Sequence, residues 1–212
     1  MHLDLVVKWL QEASLHPLPG KESHLRMSPL PVDVRRFVQP APVPHKKSGV
    51  LLLFYPRADG VYFPLIKRPS YTGVHSDQVG LPGGKAEPDD PDIIRTALRE
   101  AEEEIGIDAG KVTVLGTLSD LYIPSSSYVV TPVLGYMKEA PSFVPDSREV
   151  SKILETQLTA LVNPSLKKQT RLKAGNGLEL YTPYFDVYGE VVWGATAMIL
   201  NELIDLLDQN RK

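Results

Sequence analysis

The stretch that decides the fold is Gly83-Gly84-Lys85-Ala86-Glu87-Pro88-Asp89-Asp90-Pro91-Asp92-Ile93-Ile94-Arg95-Thr96-Ala97-Leu98-Arg99-Glu100-Ala101-Glu102-Glu103-Glu104-Ile105-Gly106-Ile107. Its second half predicts a helix over 91–105. Asp90 is the expected N-cap, Pro91 suits the first helical position, and Gly106 suits the C-terminal stop. At about 100° per residue, Ile93, Ile94, Ala97, Leu98, Ala101 and Ile105 share one arc that must face a core. Glu100, Glu103 and Glu104 gather at one edge of that arc, because they stand at i, i+3 and i+4. Glu102 points to solvent. Three like charges beside a buried face repel each other and lose hydration. A divalent cation relieves both costs, and hard carboxylate oxygens suit Mg²⁺ or Mn²⁺. The double glycine ahead of the helix lets backbone approach a ligand closely.

Working outward, GVLLLFY (49–55) reads as a buried strand, Arg57-Ala58-Asp59-Gly60 as a turn, and VYFPLIKR (61–68) as a second strand. Residues 69–90 read as loop. VTVLGTL (112–118) and YVVTPVLGYM (128–137) read as strands, and 149–161 fits either a strand or a helix. Asn176-Gly177 marks a turn ahead of LELYTPYFDVY and EVVW. A closing helix over about 194–208 sets Ala197, Leu200, Ile204 and Leu207 on one face. At the other end, LDLVVKWLQE (3–12) reads as an amphipathic helix. Between 16 and 44 stand seven prolines: Pro17, Pro19, Pro29, Pro31, Pro40, Pro42 and Pro44. They argue against a helix or a central strand there and predict an extended arm. The expected organisation is a helix and Pro-rich arm over 1–47 and a domain over 48–212, of α/β (α+β) class, with a mixed sheet between helices.

Composition narrows the function. The 212 residues carry a net charge of −3, which makes no electrostatic case for a nucleic-acid partner. No cysteine is present, which excludes disulfides, thiolate zinc sites and a cysteine nucleophile. No apolar run reaches the roughly 18–20 residues of a membrane span, and the N-terminus lacks a secretion signal. A cytoplasmic protein with no membrane partner is expected. His75-Ser76-Asp77 carries triad letters, but neighbours on one loop cannot form a triad. His2, His16, His24 and His45 make no metal-ligand spacing. Trp193 reads as core, and Tyr71 and Tyr122 are weak candidates for stacking on a base.

A Glu-rich helix is most often a solvated face. Here the set is larger: Gly84, Arg99, Glu100, Glu103, Glu104 and Gly106. At roughly 7% usage per residue type, six chosen identities at set positions arise by chance about once in 10⁷. This set resembles the Nudix box, G-x5-E-x7-R-E-U-x-E-E-x-G-U with U aliphatic. Gly84 to Arg99 is one residue longer than the box, Asp90 or a neighbour stands for its first Glu, and Ala101 takes an aliphatic position. The longer loop with Asp resembles the coenzyme A pyrophosphatase branch. LIKRPSY…HSDQVGLPGGK (65–85) is similar to that branch's upstream signature, with Leu81 in place of Phe and Asp77 in place of Gly. VVWGATAMIL (191–200) is similar to its closing strand-to-helix segment.

The resemblance implies a Nudix fold and hydrolysis of a nucleoside diphosphate linked to another group. Coenzyme A leads as substrate; ADP-ribose, NADH and oxidised nucleotides are the rivals. It implies two or three Mg²⁺ or Mn²⁺ ions on Glu100, Glu103 and Glu104. It implies a general base among Glu103, Glu100 and Glu149, with Arg99 orienting the box by pairing with Glu100 or the Asp89/Asp90 loop. Gly83 and Gly84 shape the loop, and Arg68 and Lys85 are candidate phosphate contacts. Many relatives dimerise, so the arm is a candidate for exchange between two copies. The contrasting expectation is a catalytically silent nucleotide-binding module; three retained, mutually repelling glutamates argue against it.

Overall fold

The computed structural model describes residues 1–37, 45–70, 76–173, 177 and 179–209. Strand β1 (Lys46–Arg57) organises it. Its residues alternate between two cores, as a strand covered on both faces must. Leu51, Leu53 and Tyr55 face one core with Ala97, Ala101 and Ile105 of α3 (Ile93–Ile105). Leu52 and Phe54 face the other, with α1 (Leu3–Ala13) and α5 (Gly194–Gln209). The sheet therefore lies between α3 on one side and α1 with α5 on the other.

Around β1 the pairing is mixed. β7 (Tyr128–Tyr136) runs parallel to it from Lys46 to Phe54. Its other edge is shared: β4 (Gly83–Lys85) pairs with Ser48–Val50, and β2 (Gly60–Lys67) pairs with Tyr55–Arg57, both antiparallel. β3 (Val79–Gly80) and β8 (Lys152–Gln157) extend β2, while β5 (Thr113–Thr117) and β6 (Leu121–Ile123) extend β7. The short α4 (Leu158–Leu161) follows β8, so the ambiguous 149–161 stretch is strand then helix. A separate antiparallel sheet holds β9 (Lys167–Lys173), β10 (Glu179–Val187) and β11 (Glu190–Trp193). Among the described residues, no helix is long and apolar enough to cross a membrane.

Two sequence expectations are corrected. The N-cap of α3 is Asp92, whose carboxylate accepts from the Arg95 N–H at 2.8 Å, so Pro91 lies outside the helix. Asp90 cannot serve there because its oxygens are engaged by Glu87 N–H, Thr96 Oγ1 and Arg99. The Pro-rich 16–44 stretch also contains a helix, α2 (Gly20–Arg26), in the proline-free interval after Pro19. It is seven residues long, too short to stand alone. Contacts to α5 hold it: Glu202 Oε1 accepts from Gly20 N–H at 3.1 Å, and Asn201 Nδ2 donates to Ser23 O at 2.9 Å. Tyr71, His75 and Asn176 lie outside the described residues.

One close approach places the site. A Cβ on Gly49 would stand 2.6 Å from Ile93 O and 3.0 Å from Ala97 N, so α3 rests directly on β1 at this point. The β-register sets Gly84 opposite Gly49, which brings the double glycine beneath the acidic edge of α3.

Candidate active site

The three glutamates of α3 share an edge but not an environment. The Glu104 side chain is 2% exposed, Glu100 13% and Glu103 63%. Glu104 turns inward: its Oε2 accepts from Gly83 N–H at 2.8 Å, and Arg68 Nη2 stands 3.5 Å from Oε1. Burial pushes its carboxyl up to about 7, with the charges of Glu100 and Glu149 pushing the same way and Gly83 N–H and Arg68 opposing. Burial also raises Glu100, partly offset by Arg99. Glu100 leans on the glycine loop, where a Cβ on Gly84 would fall 2.2 Å from its Oε2.

Arg99 is the hub of the other flank. Its Nε and Nη2 each donate at 3.0 Å to the two oxygens of Asp90, a bidentate fork, and Nη2 also reaches Lys85 O at 3.2 Å. Its Nη1 lies 3.1 Å from Glu100 and 3.4 Å from Glu103. The Arg99 guanidinium holds the Asp90 carboxyl well below the usual carboxylate range. One side chain thus fastens the 84–90 loop to the acidic edge of the helix, with Asp90 nine residues before it. Asp90→Ala removes the fork and leaves Arg99 tied to the loop only through Lys85 O. Turnover is expected to fall about 10- to 100-fold, with Asp90→Glu keeping more activity than Asp90→Ala. Steady-state rates of the two variants check this.

Among the described residues, no three Asp, Glu or His side chains stand together as a ready metal-holding group. Arg99 draws Glu100 and Glu103 toward its guanidinium, while Gly83 and Arg68 hold Glu104. Glu149 is exposed on the loop after Asp146, close enough for its charge to act on Glu100 and Glu104. Lys85 is exposed in β4. Arg68 therefore faces Glu104, whereas Lys85 meets the site through its carbonyl. Thr96, which donates to Asp90 at 2.9 Å, escaped the sequence reading because a threonine inside a helix carries no signal of its own. His24 lies away from this edge, its Nε2 2.8 Å from Glu202 Oε2 beneath α5.

The NUDIX domain family matches residues 45–164. A protein of Photorhabdus laumondii named "Uncharacterized Nudix hydrolase NudL" is 36% identical over 80% of this chain and 93% of its own length. A protein of the same name from Yersinia pestis is 34% identical over 75% of this chain and 78% of its own. Among solved structures, the Mycobacterium smegmatis (M. Smegmatis) Nudix hydrolase RenU superposes with a TM-score of 0.55 at 18% identity, covering 78% of this chain and 87% of its own. The NUDIX domain of Shewanella oneidensis NrtR, solved with ADP ribose, gives 0.50 at 14% identity, covering 85% and 99%. At those identities the structures speak for the fold alone. The family match spans more than half the chain and falls on the glycine loop, the Asp90–Arg99 fork and the acidic helix; this chain belongs to the Nudix family of hydrolases.

Proposed function

We propose that this Nudix hydrolase cleaves the pyrophosphate of coenzyme A, releasing 4′-phosphopantetheine and adenosine 3′,5′-bisphosphate, with Mg²⁺ or Mn²⁺ held by Glu100, Glu103 and Glu104. The observation that carries the reading is Glu104. A carboxylate at 2% exposure, with its proton affinity raised to about 7 beside Glu100 and Glu149, is a standing cost to the fold. A divalent cation would remove that cost, and the all-oxygen donor set fits Mg²⁺ or Mn²⁺. When bound, a divalent ion neutralises diphosphate charge and makes its water more acidic.

The chain's own groups divide the remaining work. Arg99 orients Glu100 and Glu103 and ties them to the loop through Asp90. Gly83 and Gly84 keep the loop bare for close approach of a phosphate. Arg68, which faces Glu104, and Lys85, which stands on the loop itself, are the candidate cations for phosphate oxygens. A carboxylate of Glu103, Glu100 or Glu149 takes the proton of the attacking water. The coenzyme A assignment is supported by the resemblance of the longer 84–99 loop with Asp90, and of residues 65–85 and 191–200, to the coenzyme A pyrophosphatase branch.

The test is product analysis by mass spectrometry after incubation with coenzyme A and Mg²⁺. Appearance of both products is expected. Cleavage of ADP-ribose or NADH in place of coenzyme A would move the substrate within the same class. Silence toward all of them would leave a nucleotide-binding module.

A further inference from the structure

The segment after β7 returns to the end of α3 and closes on it. The last carbonyls of a helix lack partners within it. Here Glu104 O accepts from Asp146 N–H at 3.0 Å, and Ile105 O accepts from Val144 N–H at 2.9 Å. Gly106 makes this possible twice over. Its φ of +68° ends the helix, and a Cβ there would meet Val144 Cβ and O at 2.8 Å. From that anchor the chain makes a turn around Asp146. Asp146 O accepts from Glu149 N–H at 3.0 Å and from Val150 N–H at 2.8 Å. Its carboxylate accepts from Arg148 N–H at 2.9 Å and from Arg148 Nη2 at 2.6 Å. Val150 is buried in the core that α3 shares with β1. Ser151 then fastens the far end to β2, its N–H and Oγ donating to Lys67 O at 2.8 and 2.9 Å.

The main chain of Asp146 is thus bonded on one side to Glu104 O and on the other to the amides of Glu149 and Val150, while its carboxylate closes the turn between them on Arg148. Glu149 is suspended between two fixed ends, one on the acidic helix and one beside Arg68. We propose that Asp146 is a positioning residue for Glu149: the turn that it organises holds the Glu149 carboxylate toward the Glu100–Glu104 edge during hydrolysis. The inference rests on the hydrolytic reading of this edge. It adds a residue outside the family's helical motif, through which turnover depends on a side chain that need not touch substrate.

A double-mutant cycle tests it, using the full chain, Mg²⁺ and whichever of coenzyme A, ADP-ribose or NADH the wild type cleaves. Asp146→Ala is expected to lower kcat about tenfold with KM within about twofold. Asp146→Asn, which keeps an oxygen for the Arg148 N–H, is expected to recover most of it. In a Glu149→Gln background, Asp146→Ala is expected to cost nothing further, because the group it positions is already disabled. Hydrogen exchange at the Glu149 and Val150 amides is expected to quicken in Asp146→Ala, a change independent of turnover. Equal losses in both backgrounds, unchanged exchange, or full kcat in Glu149→Gln would overturn the positioning role while leaving the hydrolase reading intact. A wild type that cleaves none of the substrates would overturn the hydrolase reading itself.

Discussion

Glu104→Gln is expected to lower Mg²⁺-dependent turnover by at least about a thousandfold and, at pH 8, to make the metal-free protein more stable. Both effects have one cause. Glutamine keeps the shape of the side chain and an oxygen for the Gly83 N–H, and removes only the charge. The catalytic loss follows because charge stabilisation by a bound divalent ion is worth several kcal/mol, and each 1.4 kcal/mol is about tenfold in rate. The stability gain follows from linkage. The folded-state pKa of Glu104 is raised to about 7 from the ordinary 4.5, so the folded protein favours the protonated form. The stability that this group contributes is complete below about pH 4.5 and is lost as pH rises through 7. At pH 8 the wild type bears a buried carboxylate at a cost on the order of 3 kcal/mol that the variant escapes. Near pH 4.5 the two should converge. Urea denaturation of metal-free protein at both pH values reads the stability, and a rate assay with Mg²⁺ reads the turnover. Mg²⁺ should raise the melting temperature of the wild type at pH 8 far more than that of the variant. Full turnover in Glu104→Gln would sink the assignment of this residue to the metal.

The second large effect lies on the opposite face of the sheet. Glu202 of α5 is fully buried and satisfies three donors, two on α2 and one on the loop after β5. Its Oε1 accepts from Gly20 N–H at 3.1 Å and Ser119 N–H at 3.2 Å, and its Oε2 stands 2.8 Å from His24 Nε2. Glu202→Ala leaves two main-chain amides and an imidazole without their partner in the core. Loss of one member of such a buried set costs about 3–5 kcal/mol. For a chain of this size that is roughly 6–20 °C in melting temperature. Glu202→Gln, which retains an oxygen for the two amides, should lose less. Turnover per folded molecule at 20 °C should stay near that of the wild type, because α3 packs on the other core. Calorimetry and active-site titration separate the two quantities. A shift in melting temperature under 2 °C would mean that α2 is not held to the fold by this residue.

These two residues also mark the boundary of what can be read from a linear chain. Glu104 was legible because its neighbours are local. Helical periodicity alone sets Glu100, Glu103 and Glu104 at one edge of the apolar arc, and Gly106 announces where the helix stops. The alternation of Leu51, Leu53 and Tyr55 against Leu52 and Phe54 is likewise local, so a strand covered on both faces followed from it. Even there the periodicity gave a shared edge and no depth. Only packing against Gly83, Gly84 and Arg68 buried Glu104 and left Glu103 in solvent.

Glu202 was illegible because its partners come from elsewhere. Gly20, His24 and Ser119 lie between 83 and 182 residues away in sequence, and nothing in their identities announces the meeting. The same holds for α2, a seven-residue helix among prolines that exists because α5 holds it. It holds for β9, KKQTRLK, whose polar sequence becomes a strand by pairing with β10. Asp90 and Asp92 show the competition directly. Both are good caps by residue type, and Arg99, two turns into the helix, takes one of them, leaving the other to start the helix. The sequence by itself determined the elements whose stability is periodic and local, and with them the family and the acidic helix. The tertiary structure alone decided which carboxylate of that helix is buried and what holds α2 to α5, because those depend on contacts between groups far apart in the chain.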